Sequence, residues 1–238
     1  MPIIKLLCNL YLLQIKRYKN LSKQYRIMKF LAFVDAHGNK KILGGIEHIA
    51  RKESIDFLIC AGDISLWGRN LKGILQQLDG IGTPLLIVPG NHESENELKG
   101  LCKEFKNIVY IHKGSYELKY GKHYYLFFGY GGGGFSLIDR EFERTANKFI
   151  ELYNRIKKEQ TEKGMELKLI LVTHAPPYGT TLDKLDGYKG CKSIRKFIEQ
   201  VKPAVHICGH LHENAGNIDI IGKTQIVNPG KGKIIEIK

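Results

Sequence analysis

Five apolar segments of this chain stop abruptly at Asp, Asn or His residues, and that recurrence limits the fold more than any other feature. Residues 29–34 run into Asp35-Ala36-His37-Gly38, and 55–60 into Ala61-Gly62-Asp63. Residues 85–88 run into Pro89-Gly90-Asn91-His92-Glu93, 167–172 into Thr173-His174, and 204–208 into Gly209-His210-Leu211-His212. The first segment is apolar on both faces, as strands covered from both sides are. Strands that end this way deliver side chains to the carboxyl edge of an open α/β sheet, where ligands bind. One His beside one strand is ordinarily a satisfied polar residue. Eight Asp, Asn and His residues at five equivalent strand ends are more than polar caps require.

Helical patterns separate the early strands. Residues 40–52 place Ile42, Ile46, Ile49 and Ala50 on one face, and 70–79 do the same with Leu71, Ile74, Leu75 and Leu78. A third helix runs to about residue 104, so the chain from Met28 reads β-α-β-α-β-α. Such alternation implies a mostly parallel sheet with right-handed crossovers. The middle changes character. Residues 115–119 and 123–129 resemble a hairpin around Gly121, followed by Gly131-Gly132-Gly133-Gly134. With no GxxxxGK[ST] or GxGxxG context, the four glycines read as a flexible loop bordering the site rather than a phosphate cradle. A charged amphipathic helix over 139–160 and another over 191–200 follow, then short strands at 217–221, 224–227 and 233–237. No linker or low-complexity stretch divides this region, which predicts one domain over 28–238.

The first 27 residues differ. They carry Lys5, Lys16, Arg17, Lys19, Lys23 and Arg26 and no acid. Their apolar run is too short and too polar to span a bilayer, and it lacks the layout of a signal peptide. A basic amphipathic helix lying on a membrane or partner is one reading. The plainer one is a dispensable extension upstream of a native start at Met28, which the intact mass of the cellular protein tests. Of the formal charge of +13, residues 28–238 keep +7, an excess that suits a phosphorylated substrate, RNA or DNA, or simply solubility. The cysteines Cys8, Cys60, Cys102, Cys191 and Cys208 form no CxxC pair; a scattered odd set fits a reducing, cytoplasmic location.

The donor set itself points to metal. In Asp35-x-His37 and His210-x-His212, side chains two apart in an extended segment point the same way. Carboxylate, imidazole and amide oxygen without cysteine suit Mn, Fe, Co, Ni or Zn better than Cu(I). Two cations about 3.5–4 Å apart need an anionic bridge. Asp63, a single carboxylate between the outer groups, is the natural one.

In order and with strands before them, Asp35-x-His37, Gly62-Asp63, Gly90-Asn91-His92-Glu93, His174 and Gly209-His210-x-His212 resemble the five signature blocks of the calcineurin-like metallophosphoesterase superfamily. The resemblance extends from about residue 28 to 230. The stretches 173–180 and 209–213 are most similar to a small prokaryotic and archaeal branch related to the animal MPPED-type phosphoesterases. The resemblance implies an α/β fold, a four-layer α/β/β/α sandwich with two mixed β-sheets. It also implies two divalent ions, Mn foremost with Fe, Ni, Co or Zn as alternatives. Asp35, His37 and His212 would hold one, and Asn91, His174 and His210 the other. Asp63 and a solvent hydroxide would bridge them. His92 would contact the phosphate and protonate the leaving oxygen, with Glu93 either orienting it or capping the next helix.

The implied activity is hydrolysis of a phosphodiester or small nucleotide phosphoester. A nuclease of the same chemistry is the alternative, though such enzymes usually add a domain for which this chain has little length. A non-catalytic scaffold, like the retromer subunit of this fold, is a further alternative, but there the catalytic constellation has degenerated and here every position is filled. Related sequences of the branch often place a His shortly before a Gly-Ser or Gly-Cys pair. Here the stretch is Gly187-Tyr188-Lys189-Gly190-Cys191, so substrate preference transfers less securely.

Overall fold

A computed structural model describes residues 27–134 and 136–237; the reading of the N-terminal extension lies outside them. The first strands are β1 (Met28–Phe33), β2 (Phe57–Cys60), β3 (Leu85–Ile87) and β4 (Ile108–Tyr110). They pair in parallel, Phe30 beside Phe57, Leu58 beside Leu85 and Leu85 beside Ile108. Strand β13 (Lys233–Ile237) closes the other edge, antiparallel to β1. Side chains alternate across β1. Phe30, Ala32 and Val34 enter the core between the sheets, whereas Leu31 and Phe33 face the helices α1 (Lys40–Lys52), α2 (Leu71–Asp79) and α3 (Glu95–Cys102). This two-sided burial explains the unbroken apolar runs, each large side chain contributing about 1.5–3 kcal/mol. Helix α1 starts at Asn39, whose Oδ1 accepts from the amides of Lys41 and Ile42, and it buries Leu43, Ile46 and Ala50. Ile42 and Ile49 are only partly buried, so the face is turned toward Leu43 relative to the sequence pattern.

The second sheet has the order β11-β12-β10-β7-β6-β5. Its members are β5 (Gly114–Tyr120), β6 (His123–Tyr130), β7 (Glu166–Thr173), β10 (Val205–Ile207), β11 (Ile218–Ile221) and β12 (Thr224–Val227). Strands β6, β7, β10 and β12 run parallel, and β5 and β11 are antiparallel edges, so both sheets are mixed. Helices α4 (Arg140–Glu162) and α5 (Lys192–Val201) cover its outer face. Phe149 of α4 stacks on Phe128 of β6 at 4.3 Å between ring centroids. Asp139 caps α4 by accepting from the Phe142 amide. The result is the expected four layers, α/β/β/α. Among the described residues no helix is long and apolar enough to cross a membrane.

Two elements were not foreseen. Strand β4 is three residues long, too short for a periodic signal. The 184–188 stretch forms a small ribbon, β8 (Lys184–Leu185) against β9 (Gly187–Tyr188).

His206, in β10, is fully buried on the helix side of the sheet. Thr173 Oγ1 donates to the Ala175 carbonyl at 2.6 Å, so it accepts from His206 Nε2 at 2.7 Å, and Nδ1 faces no polar partner among the described residues. Burial pushes this imidazole from 6.5 down to about 3. The unfolded chain binds a proton here well before the folded one does. Stability is therefore complete above about pH 6.5 and is lost as pH falls toward 3. Between pH 7.5 and 5, denaturant titrations of the wild type should lose about 2 kcal/mol more than those of His206→Gln. Equal losses would contradict this account of His206.

Candidate metal centre

The site forms where the carboxyl ends of β1, β2, β3, β7 and β10 meet across the two sheets. Adjacent strand ends are laced together. Asp35 N donates to the Gly62 carbonyl at 3.1 Å, His37 N to the Asp63 carbonyl at 2.9 Å, and Gly209 N to the His174 carbonyl at 2.9 Å. Four of the predicted residues have left-handed backbones: Asp35 (φ +55°), His37 (+46°), Asp63 (+51°) and His210 (+72°). Each such residue costs about 1–3 kcal/mol and persists where surroundings enforce it, often at functional sites. This corrects the extended geometry expected for Asp35-x-His37 and His210-x-His212. The side chains converge, but tight turns bring them together, and His212 opens a 3₁₀ turn (His212–Asn214).

Glycine is required where the turns touch. A Cβ on Gly90 would stand 1.9 Å from Asp63 Oδ1. Gly62 has φ +101°, and a Cβ there would meet Gly90 N at 2.5 Å. The Gly-Asp and Gly-Asn pairs thus interlock.

All eight predicted residues lie around one centre. Ligand atoms of Asp35, His37, Asp63 and His212 fall within 4.8 Å of one another, and His37 Nε2 is 3.0 Å from His212 Nε2. Asn91 Oδ1 sits 3.0 Å from His174 Nε2 and 2.9 Å from His210 Nδ1. Asp63 lies between these groups. Its Oδ1 accepts from His92 N at 2.9 Å. Its Oδ2 is 3.4 Å from His174 Nε2 and 3.9 Å from the Nε2 atoms of His37 and His92. Asp35 Oδ2 accepts from His210 N at 3.1 Å, while the buried Asp35 Oδ1 has no hydrogen-bond partner among the described residues.

These donors fit divalent cations. His174 Nδ1 lies 2.9 Å from the Ala61 carbonyl, which only accepts, so Nδ1 carries the proton. Neutral His174 then aims its Nε2 lone pair at the oxygens of Asn91 and Asp63. Lone pairs facing lone pairs need a proton or a cation between them. Without a metal the proton serves. Burial opposes charging His174, but Asp63 outweighs it and raises this imidazole above its ordinary value. Burial likewise pushes the Asp63 carboxyl up, and the hydrogen bond and charge of His174, with His92, more than offset it and leave Asp63 below the usual range. Burial lifts Asp35 to about 6, lowers His37, and lowers His210 to about 4. The neutral imidazoles of His37 and His210 beside the Asp63 carboxylate are in the state a divalent ion binds.

Glu93 does neither job expected of it. Its buried carboxylate accepts from the amides of Asp63, Gly90 and Ser65, each at 2.9 Å, and from Ser65 Oγ at 2.8 Å. It ties the β2 and β3 turns together and, among the described residues, hydrogen-bonds neither the His92 ring nor the first-turn amides of α3. The Gly131–Gly134 segment borders the site, as expected; Gly131 N donates to His112 Nδ1 at 2.7 Å, and a Cβ on Gly134 would lie 4.0 Å from His210 Cε1. The sequence reading missed His112, which follows β4, and Trp67, whose ring centroid is 4.2 Å from that of His92. A lone tryptophan four residues past Asp63 was the available signal for the latter.

Comparison with known proteins agrees with this geometry. An uncharacterized protein of Methanocaldococcus jannaschii (MJ1162) is 31% identical over 212 residues, covering 86% of this chain and 88% of its own length. A shorter match, 40% identical over 73 residues and covering 29% of this chain and 30% of the other, is a probable cyclic nucleotide phosphodiesterase of Vesicomyosocius okutanii. Among solved structures, the protein TT1561 of Thermus thermophilus superposes with a TM-score of 0.67 at 16% identity, covering 86% of this chain and 90% of that one, a likeness of fold. The profile of the calcineurin-like phosphoesterase family matches residues 28–214, through β1 and all five strand ends. The chain therefore belongs to the calcineurin-like phosphoesterase family, whose members are metal-dependent.

Proposed function

We propose that this protein hydrolyses a phosphodiester or small nucleotide phosphoester at two divalent ions, with Mn the first candidate. Asp35, His37 and His212 would hold one ion, Asn91, His174 and His210 the other, with Asp63 serving both. The observation that carries this reading is the convergence of imidazole nitrogens and carboxylate oxygens around Asp63 Oδ2, with the His174 tautomer fixed by the Ala61 carbonyl. Bound divalent ions supply Lewis acidity and a nucleophile near neutral pH. The chain supplies the rest. His92, whose backbone is tied to Asp63 Oδ1 and whose Nε2 faces the same centre, donates a proton to the leaving oxygen. Buried Glu93 holds the two turns that set the distance between Asp63 and His92. The diesterase named in the Vesicomyosocius relative and the basic balance of the chain support a diester with negative charge.

Metal-replete protein is expected to turn over a chromogenic phosphodiester with Mn²⁺ and to stop on chelation. No turnover of any phosphate ester with Mn, Ni, Co or Fe would refute the proposal.

A further inference from the structure

We propose that Trp67 is the platform on which a planar aromatic leaving group of the substrate stacks, making it a specificity-determining residue of the hydrolase reading on which this rests. Trp67 does nothing for the core. Its side chain is 68% exposed, and its backbone is left-handed at φ +53°, an uncommon state for a bulky residue. The turn holding it is nevertheless firmly built. Glu93 fastens Ser65 through both N and Oγ, and Ser65 Oγ accepts from Gly68 N at 3.2 Å. Arg69 N donates to the Leu66 carbonyl and Leu71 N to the Gly68 carbonyl, each at 3.1 Å. The carboxylate that ties the centre's turns together therefore also fixes the turn that carries the indole at its rim.

Position gives the indole its meaning. The His92 ring is contacted by His37, with centroids 4.8 Å apart, and by Trp67, with centroids 4.2 Å apart. A leaving oxygen protonated by His92 lies within hydrogen-bond reach of its Nε2. The next atoms of that alcohol must depart past His92, where the exposed indole stands with a face to offer. A flat ring such as a nucleobase or aryl group gains there by stacking, which does not depend on base identity. An aliphatic alcohol gains little.

The test follows release of adenosine from adenosine 5′-(methyl phosphate) and of ribose from ribose 5-(methyl phosphate), two diesters in which only the base is removed, with Mn²⁺-loaded protein. Trp67→Ala should raise KM for the adenosine ester by about 5- to 100-fold and penalise the ribose ester at least fivefold less, with Trp67→Phe recovering most of the loss. Trp67 is the only tryptophan of the sequence, so fluorescence excited on the red edge, where tyrosine does not absorb, reports this position alone. The adenosine ester should quench it saturably in the wild type and the ribose ester should not. Equal penalties on both esters, or no penalty, would overturn the platform while leaving hydrolysis standing. If the wild type turns over neither ester nor the chromogenic diester, the hydrolase reading fails. The leaving-group role then falls with it, and selective quenching by the adenosine ester would show stacking alone.

Discussion

His92→Ala is expected to lower kcat/KM for diesters of poorly leaving alcohols by about 10²–10⁴-fold, and to spare esters of acidic phenols. The asymmetry follows from the role proposed for the ring. An alkoxide leaves only if protonated as the bond breaks, whereas a nitrophenolate leaves without help. His92 Nε2 stands 3.9 Å from Asp63 Oδ2, as far as His37 Nε2 does, but His92 lies outside the group formed by Asp35, His37, Asp63 and His212, whose ligand atoms fall within 4.8 Å of one another. The variant should therefore keep its metal. A uniform loss across leaving groups, accompanied by metal loss, would make His92 a ligand instead.

Asp63→Asn is expected to reduce activity more than a hundredfold toward every ester, and metal content with it; even groups that only orient metal ligands are worth about 10- to 100-fold. The substitution keeps the shape and removes the charge. Asp63 is the carboxylate that three imidazole Nε2 atoms surround at 3.4 to 3.9 Å, and its second oxygen fixes the His92 backbone. With a neutral amide, two cations would face each other without an anion between them. Near wild-type turnover in this variant, at full metal occupancy, would deny Asp63 its bridging place.

The strand ends were legible because buried parallel strands leave a distinctive trace. Residues 30–34, 85–88 and 169–172 are apolar without alternation, so an Asp, Asn or His that follows within a few residues marks where the sheet ends. The parallel first sheet was legible for the same reason, since helix-period segments separate β1, β2 and β3; the two-sheet sandwich was legible only through the resemblance carried by the five blocks. The backbone at the turns was not. Nothing in Asp35-Ala36-His37 announces a left-handed Asp and His, because that conformation is imposed by distant partners, the carbonyls of Gly62 and Asp63. Glu93 was misread because its partners, Asp63 and Ser65, are some thirty residues away in sequence and adjacent only once β2 and β3 pair. Strand β4 was missed because three residues carry no period, and their place comes from pairing with β3.

The most direct test of the whole account is the metal content of the protein by plasma mass spectrometry, after growth in metal-replete medium. About two divalent ions per chain are expected in the wild type, falling in Asp63→Asn. A wild-type protein that retains none, while folded and monodisperse, would contradict it.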